Sequence, residues 1–283
     1  MPGRKSFTHT FVTVLTVVGA LTWAGDASAA LKVASWNIQI FGQQKAKNAD
    51  VMRVIVDTVK QYDLILVQEV RDTTDNATAA LLSQVNAATG NAYNLLVSNR
   101  LGRGSAKEQY AYLYRKSVLK VVDAYHYADP DDLFAREPFI VRFRTTKANV
   151  KEFFVVPLHA APESAVEEVG SLVKVYDDAV KRWSIKNGVM MGTLNAGCAY
   201  FAKKHWKTNP LRLDSRFTWL IGDDANTTVG QQSCPYDRAV VAGDKMRANA
   251  KQGLTAHVSE KLNLSMELMR EVSDHYPIQF VIN

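Results

Sequence analysis

Apolar segments of about strand length recur along the chain, and most are rich in β-branched or aromatic residues, as buried β-strands are. Two longer segments, 51–59 and 166–183, instead repeat their apolar residues with the period of an α-helix. Strands that alternate with helices predict a layered α/β architecture. The predicted strands are Leu31–Trp36, Leu64–Val70, Tyr93–Val97, Tyr110–Tyr114, Phe139–Phe143, Phe153–Leu158, Val189–Met191, Phe217–Ile221, Ala239–Val241 and Ile278–Ile282.

Residues 31–283 are predicted to form one domain, because no linker rich in Gly, Ser or Pro and no shift in composition interrupts them. The whole chain of 283 residues is 47% apolar and 22% charged, which excludes a disordered or collagen-like protein. Its formal net charge of +6 suits a polyanionic partner but does not identify one.

Residues 1–30 have the order of a secretory signal peptide. Arg4 and Lys5 supply a positive start, residues 11–23 form an apolar run, and Ala27 and Ala29 place small residues before a cleavage site. We therefore expect a secreted, extracellular protein. The alternative is an amphipathic N-terminal helix, but the run lacks polar periodicity. No internal stretch approaches the roughly 18 consecutive apolar residues of a membrane span, so no membrane association is expected.

The chain has two cysteines, Cys198 and Cys234. In an oxidising compartment such a lone pair predicts one disulfide. One bridge is too few for a disulfide scaffold, so a hydrophobic core must carry the fold. Three glycosylation sequons, at Asn76, Asn226 and Asn263, are compatible with secretion.

Polar side chains of catalytic types follow or precede several of the predicted strands. Each alone has an ordinary structural explanation, such as an Asn in a turn or a His in a structural hydrogen bond. Together they offer oxygen ligands for a divalent cation and carboxylates that orient imidazoles for proton transfer. Residue chemistry alone therefore predicts a metal-assisted hydrolase of phosphate esters. The residues concerned are Asn37, Glu69, His159, Asn195, Asp237, Asp274 and His275.

The order of short motifs from Leu31 to the C-terminus resembles the deoxyribonuclease I family. The motifs are Trp36-Asn37-Ile38, Gln68-Glu69-Val70-Arg71-Asp72, Arg136-Glu137-Pro138, Leu158-His159-Ala160-Ala161-Pro162, Asn195-Ala196, Tyr236-Asp237-Arg238 and Ser273-Asp274-His275-Tyr276-Pro277. Within the endonuclease/exonuclease/phosphatase superfamily, the second and third motifs and the cysteine pair favour the secreted deoxyribonucleases. Another phosphodiesterase, acting on a lipid or inositol substrate, is the least favoured alternative.

The resemblance implies a four-layer α/β/β/α sandwich in a single domain, and a monomer that hydrolyses double-stranded DNA with Mg²⁺ and Ca²⁺. It assigns His159 and His275 as general acid/base and charge stabiliser at the scissile phosphate. Glu108 would orient His159, and Asp237 would orient His275. The remaining implied roles are Mg²⁺ binding by Asn37, Glu69 and Asp274, Ca²⁺ binding by Asp129, Asp132 and Glu137, DNA contact by Arg71, Arg136 and Tyr200, and a hydrogen bond from Asn195 to the phosphoryl oxygen.

One departure from the family affects catalysis directly. Thr193 stands where the family motif Gly-Asp-Phe-Asn has its Asp. A neutral hydroxyl cannot supply negative charge or act as a base near neutral pH. We therefore expect activity lowered by orders of magnitude, because catalytic groups that act as a unit fail together. The alternative is a pseudoenzyme that kept the fold and acts by binding DNA or protein.

Other departures lie on surfaces that contact partners. Gln39 replaces an Arg that contacts phosphate, and Ala106 replaces a Tyr that packs into the minor groove. Asn226 replaces an Asp of a second Ca²⁺ site and creates a sequon there. Leu95 and Phe139 replace residues that contact actin in some members, which argues against actin binding.

Overall fold

The computed structural model describes residues 1, 3 and 30–283. The predicted signal segment, apart from its residues 1, 3 and 30, lies outside the described residues. Within them, twelve strands form two six-stranded sheets. The strands are β1 (Leu31–Phe41), β2 (Leu64–Val70), β3 (Tyr93–Val97), β4 (Gln109–Arg115), β5 (Leu119–His126), β6 (Phe139–Thr145), β7 (Glu152–Pro157), β8 (Gly188–Thr193), β9 (Phe217–Trp219), β10 (Asp237–Ala242), β11 (Ala250–Thr255) and β12 (Ile278–Ile282).

The helices of the described range are mostly short, and three of them exceed ten residues. They are α1 (Gln43–Lys47), α2 (Ala49–Val59), α3 (Asn76–Thr89), α4 (Ala165–Trp183), α5 (Pro210–Leu213), α6 (Asp244–Asn249), α7 (Val258–Lys261) and α8 (Met266–Val272), with 3₁₀ turns at Pro162–Ser164 and Lys203–Lys207. In this part of the chain, no helix has both the length and the apolar character that crossing a membrane requires.

Both sheets are mixed. The first has the strand order β11-β12-β1-β2-β4-β3, and the second has the order β5-β6-β7-β8-β10-β9. Only β1 with β2 and β7 with β8 run parallel among the paired strands of the described residues. Parallel neighbours need a long crossover, and here α2 supplies the first crossover and α4 the second.

The two sheets pack face to face, and helices cover their outer faces. Alternate residues of β1 show this division, since Leu31 and Val33 face the second sheet while Ala34 and Trp36 face the helices. Helices α2, α3 and α8 cover the first sheet, and α4 covers the second. This is the single-domain α/β/β/α sandwich that the resemblance implied, so the predicted fold is confirmed.

The two helices predicted from apolar periodicity are present as α2 and α4. Helix α2 begins after Asn48, whose side chain accepts hydrogen bonds from the N–H groups of Asp50 and Val51. Such a cap satisfies N–H groups that the first turn of a helix leaves unpaired. The apolar stripe of α4, which includes Val169, Leu172 and Tyr176, is buried against the second sheet.

Two strands, β5 and β11, were not predicted from the apolar pattern. Each lies at the edge of its sheet and pairs with one neighbour. Edge strands keep one side in contact with solvent, so their sequences carry polar residues such as Lys120 and Asp123 in β5. Helix α3 was also missed, because it is rich in alanine and lacks a strong apolar stripe.

Candidate active site

The polar residues at the strand ends gather at one end of the sandwich, where the two sheets meet. Glu69 lies near the end of β2 in the first sheet, and His159 follows β7 in the second. Asp237 begins β10, and the antiparallel register pairs it with Thr193, the last residue of β8. His275 precedes β12, back in the first sheet. Loops at strand ends are the usual location of chemistry on such a scaffold.

A buried carboxylate from the opposite sheet holds His159. The ring Nδ1 is hydrogen-bonded to Oε1 of Glu108, which immediately precedes β4. Arg136 braces this pair, because its Nε lies 2.5 Å from the same oxygen and its Nη1 donates to the His159 carbonyl at 3.0 Å. The ring is thereby fixed with Nε2 toward the cleft, 4.0 Å from Oε1 of Glu69.

His275 is held in the same way from the other side. Its Nδ1 lies 2.7 Å from Oδ2 of Asp237, and its Nε2 lies 3.9 Å from Oδ1 of Asp274. Burial opposes protonation of the ring, but attraction to Asp237, Asp274 and Glu69 outweighs it and raises the pKa of His275 to about 9. At neutral pH the ring is therefore a cation whose Nε2 can donate a hydrogen bond.

Thr193 lies between the two histidine pairs and is almost fully buried, with 1% of its surface exposed. Its hydroxyl donates to Oδ1 of Asp237 at 2.7 Å, and its backbone N–H donates to Oε1 of Gln68 at 3.0 Å. Threonine thus satisfies the carboxylate of Asp237 as a neutral donor. It adds no negative charge to the site.

The carboxylate of Glu69 lies at the mouth of the site and is held by hydrogen bonds to both of its oxygens. It accepts hydrogen bonds from Nδ2 of Asn37 at 3.0 Å and from the backbone N–H of Ile40 at 2.9 Å. Burial works to raise the pKa of this carboxyl, but His159, Asn37, Ile40 and Arg71 together outweigh burial and lower it. The carboxylate is therefore ionised and available to a cation.

The few oxygen donors of this site suit Mg²⁺, which keeps several water ligands, better than a metal ion held by protein side chains alone. The carboxylates of Glu69 and Asp274 both raise the pKa of His275, which shows that they lie near the same ring. Asn37 orients Glu69 by a hydrogen bond. Across the described residues, no group of three or more His, Cys, Asp or Glu side chains is arranged to hold a metal ion. Mg²⁺ commonly binds through one or two carboxylates together with water and substrate phosphate, so these residues fit it.

Four residues in and beside this site have a strained backbone. Gln39, Ile40, Glu69 and Asn195 all have positive φ, from 43° to 59°. Residues other than glycine adopt this region at a cost and persist there when the surroundings hold them, commonly at functional sites. Gly192 shows how tight the backbone is, since a Cβ on it would clash with the Leu158 carbonyl oxygen.

Comparison with known proteins assigns the family. The model of the endonuclease/exonuclease/phosphatase family matches residues 34–275. Deoxyribonuclease gamma of Homo sapiens is 40% identical over 260 residues, which cover 89% of this chain and 85% of that protein. Deoxyribonuclease-1 of Canis lupus familiaris is 41% identical over 270 residues, which cover 93% and 95% of the two chains. The chain belongs to the deoxyribonuclease I family.

Solved structures agree on the fold of this deoxyribonuclease I-like chain. The catalytic domain of human Nocturnin superposes with a TM-score of 0.61 over 90% of this chain and 94% of that one, at 14% sequence identity. At that identity the likeness concerns the fold alone. The family that the sequence motifs indicated is thus confirmed by sequence relatives, and the sandwich by structural ones.

The arginines that the family assigns to DNA contact make internal contacts here. Arg136 is only 17% exposed because of its bonds to Glu108 and His159. Arg71 is 31% exposed and lies 3.3 Å from Glu69 and 3.6 Å from Glu108. Their guanidinium groups line the cleft beside the carboxylates, and their contact with DNA stays a prediction.

Two other family positions also have protein partners. The Nδ2 group of Asn195 donates to the Ala160 carbonyl at 2.8 Å, which leaves one amide hydrogen for a phosphoryl oxygen. Tyr200 is exposed and stacks on Tyr236, with ring centroids 5.1 Å apart. Cys198 and Cys234 form the predicted disulfide near these rings, with Cα atoms 5.9 Å apart, so that prediction is confirmed.

The loop that the family assigns to calcium is closed by contacts within the protein. The two carboxylate oxygens of Asp129 accept the N–H groups of Leu133 and Phe134, each at 2.9 Å. Asp132 instead pairs with Arg103 at 3.1 Å. Within the described residues, no three acidic side chains are gathered for a metal ion, and calcium binding by Asp129, Asp132 and Glu137 stays a prediction.

Two residues of the site were missed by sequence reasoning. Gln68 donates from Nε2 to the Leu158 carbonyl at 2.8 Å and so joins the two sheets under the site. Ser273 donates to the Asn37 carbonyl at 2.7 Å and accepts the N–H of His275 at 3.0 Å. Both residues begin motifs by which the family was recognised, but sequence reasoning gave neither of them a role. A polar residue in the apolar strand β2 was a second signal for Gln68.

Proposed function

We propose that this chain is a secreted endonuclease that hydrolyses phosphodiester bonds of double-stranded DNA with a divalent metal, at a rate lowered by Thr193. The observation that carries the proposal is the pair of imidazoles, each held by a carboxylate from the opposite sheet. The Nε2 atom of His159 is turned toward Glu69, and that of His275 toward Asp274. Its relatives named deoxyribonuclease support DNA as the substrate.

The two imidazoles suit complementary tasks. The contact with Asp237 favours the protonated form of His275, whose Nε2 can then stabilise negative charge on the phosphoryl group or donate a proton to the leaving oxygen. His159, with Nδ1 held by Glu108, presents Nε2 to take a proton from the attacking water. Asn195 supplies a further hydrogen bond to the phosphoryl oxygen.

Glu69 and Asp274 would hold Mg²⁺, with Asn37 orienting Glu69. The bound ion supplies Lewis-acid stabilisation of the phosphoryl charge. An ion bound at Asp129, Asp132 and Glu137 would share Asp132 with Arg103, and no step of this mechanism uses it. Arg71, Arg136 and Tyr200 would contact the DNA backbone and groove around the cleft.

The second candidate is a pseudoenzyme that binds DNA or protein without cleaving it. The observation that favours it is Thr193, since its hydroxyl is committed to Asp237 and the usual carboxylate is missing. Both candidates keep the cleft and its arginines, so binding alone does not separate them.

Nicking of supercoiled plasmid separates the two candidates. We expect slow nicking by the mature parent chain in Mg²⁺, no nicking in chelator, and no nicking by His159→Ala. Faster nicking by Thr193→Asp would show that the rest of the site is intact. If the folded parent binds DNA without nicking it, the chain is a pseudoenzyme; nicking by Thr193→Asp alone would then show that Thr193 by itself silences an otherwise intact site.

The extracellular location is a proposal from the N-terminal sequence, supported by the disulfide, which oxidising compartments favour. Asn76 and Asn263 are exposed and could carry glycans, whereas Asn226 is half-buried and its Oδ1 accepts from Thr228. Expression in secreting cells, with N-terminal sequencing and glycosidase treatment of the product, tests cleavage near residue 30 and the use of each sequon. A chain retained in the cytosol with its first thirty residues intact would refute the proposed location.

A further inference from the structure

The ammonium group of Lys45 is directed at three backbone carbonyls beside the metal-binding end of the site. It lies 2.9 Å from the carbonyl oxygen of Ile38 and 2.8 Å from that of Val272, and it also donates to the carbonyl of Gln39. An ammonium has three N–H donors and no acceptor. These carbonyls therefore take all three of its hydrogen bonds.

Two of these carbonyls belong to the strained turn at the end of β1. Gln39 and Ile40 have φ of 43° and 52°, which is costly for a β-branched residue such as Ile40. The N–H groups of this turn hold the site, because Gln39 donates to Oδ1 of Asn37 and Ile40 donates to Oε2 of Glu69, each at 2.9 Å. Lys45 binds the carbonyl side of the same turn.

The third carbonyl belongs to a different part of the chain. Val272 ends α8 and precedes the segment that carries Asp274 and His275. Ser273 in this segment bonds to the Asn37 carbonyl at 2.7 Å, so it already touches β1. Trp36 of β1 also donates from Nε1 to the His275 carbonyl at 2.9 Å. Lys45 adds a further tie between the two segments, and this tie is a charged one, which is stronger than a neutral hydrogen bond.

We infer that Lys45 is a positioning residue: its ammonium holds residues 38–40 against the end of α8 and thereby sets the spacing of the Glu69 and Asp274 carboxylates. The inference deepens the proposed function, on which its metal and activity readouts rest. The hold of Lys45 on the backbone of residues 38–40 does not depend on whether the chain cleaves DNA.

Amide hydrogen exchange in the intact mature chain tests whether Lys45 holds residues 38–40 in place. In Lys45→Met the apolar stem remains while the three donors are lost. We expect the amides of Gln39 and Ile40 to exchange at least about tenfold faster than in the parent, because the turn opens more often. Lys45→Arg keeps the positive charge and several N–H donors, and it should restore part of the protection.

Divalent-metal binding tests the consequence for the site. Mn²⁺ alone, followed by electron paramagnetic resonance, is the probe. Residues that orient metal ligands typically change affinity by 10- to 100-fold, so we expect Lys45→Met to weaken Mn²⁺ binding by roughly that factor. In the nicking assay the same variant should need a correspondingly higher Mg²⁺ concentration for half its maximal rate.

Lys147→Met is the matched control. Its ammonium is also half-buried, but it pairs with Oδ2 of Asp63 at 2.7 Å, away from the residues of the site. This variant should lose stability without changing Mn²⁺ affinity or the exchange of Gln39 and Ile40. If Lys45→Met does not fold, Lys45→Gln replaces it, since a shorter, neutral amide cannot reach three carbonyls at once.

The outcomes separate this inference from the proposed function. Unchanged amide exchange and Mn²⁺ affinity in the Lys45 variant would overturn the inference, even in an active nuclease. A parent chain that neither binds Mn²⁺ nor nicks DNA would overturn the proposed function. In that case faster exchange at residues 39 and 40, with rescue by Lys45→Arg, would support the positioning role, and parent-like exchange would refute it.

Discussion

At the scale of single residues, Thr193 changes the charge of the site more than its shape. Its hydroxyl gives Asp237 a hydrogen-bond donor that a carboxylate at the same position cannot give unless it is protonated. An ionised carboxylate at position 193 would repel that of Asp237 unless a cation lay nearby. Threonine therefore avoids this repulsion in the metal-free site and removes part of what attracts a metal.

Substitutions at position 193 test whether the lost negative charge limits catalysis and whether the hydroxyl stabilises Asp237. In Thr193→Asp we expect the Mg²⁺-dependent nicking rate to rise by about 10²-fold or more, the size of effect typical of one preorganised electrostatic group. Thr193→Val keeps the volume but leaves Oδ1 of Asp237 without its donor, at a cost of about 1–3 kcal/mol in the free energy of unfolding. Plasmid nicking and urea denaturation measure the two effects. An unchanged rate in Thr193→Asp at every Mg²⁺ concentration would mean that Thr193 does not limit the enzyme.

The pair of His275 and Asp237 predicts a pH dependence of stability in chelator. Because folding raises the pKa of His275 from 6.5 to about 9, the folded chain binds a proton that the unfolded chain releases. The stabilisation is complete below about pH 6.5 and is lost as the pH rises through 9. Urea denaturation at several pH values should show this fall in the parent and a flatter curve in Asp237→Asn. Parallel curves for the two proteins would contradict it.

At the scale of elements, the segment between β8 and β10 is the least regular part of the second sheet. It contains α5, the short strand β9 and long loops, and the disulfide of Cys198 and Cys234 closes it over a separation of 36 residues. Short elements bury little surface by themselves, so a covalent link that restricts the unfolded segment has a large relative effect.

Removal of the disulfide should therefore destabilise the protein measurably. We expect the double variant Cys198→Ser with Cys234→Ser to lose about 2–4 kcal/mol in the free energy of unfolding. Urea denaturation of the parent and the variant, each with and without reductant, gives the value. Reductant should lower the stability of the parent toward that of the variant and leave the variant unchanged. Equal stability of the parent and the variant in the absence of reductant would refute the expectation.

Elements with strong patterns were predictable from the sequence, and the others were not. The apolar stripe of Val169, Leu172 and Tyr176 identified α4 because period and burial coincide there. The edge strand β5 was missed because its polar positions follow from having one neighbour, which is a property of the sheet and not of the segment. The strained φ values of Glu69 and Ile40 were equally hidden, since both residues normally avoid that region.

At the scale of the whole molecule, the site exists only where the two sheets meet. Glu108 of the first sheet holds His159 of the second, and Asp237 of the second holds His275 of the first. These partners are 51 and 38 residues apart along the chain. The resemblance to the family therefore named these residues and their pairing, whereas local patterns could not, because the contacts depend on how the two sheets pack.

Gln68 should affect catalysis by fixing the position of one sheet relative to the other. Its side chain lies under the site, where Nε2 binds the Leu158 carbonyl at 2.8 Å and Oε1 accepts the N–H of Thr193 at 3.0 Å, both in the second sheet. In Gln68→Met both backbone groups lose their partner, and the sheets can shift relative to each other. Because small displacements of catalytic groups are costly, we expect the nicking rate to fall by about 10-fold or more, although Gln68 touches no catalytic imidazole.

A second buried amide far from the site supplies the comparison. Asn209 caps α5, accepting the N–H of Leu211, and its Nδ2 donates to the Val166 carbonyl at 3.0 Å. Asn209→Leu and Gln68→Met should each lose about 1–3 kcal/mol of stability, because each leaves buried polar groups unpaired. Only Gln68→Met should also lose activity when both variants are assayed well below their unfolding temperatures. Equal activity of the two variants would mean that the catalytic geometry is set within each sheet, so that the amide bridge between the sheets is only a packing contact.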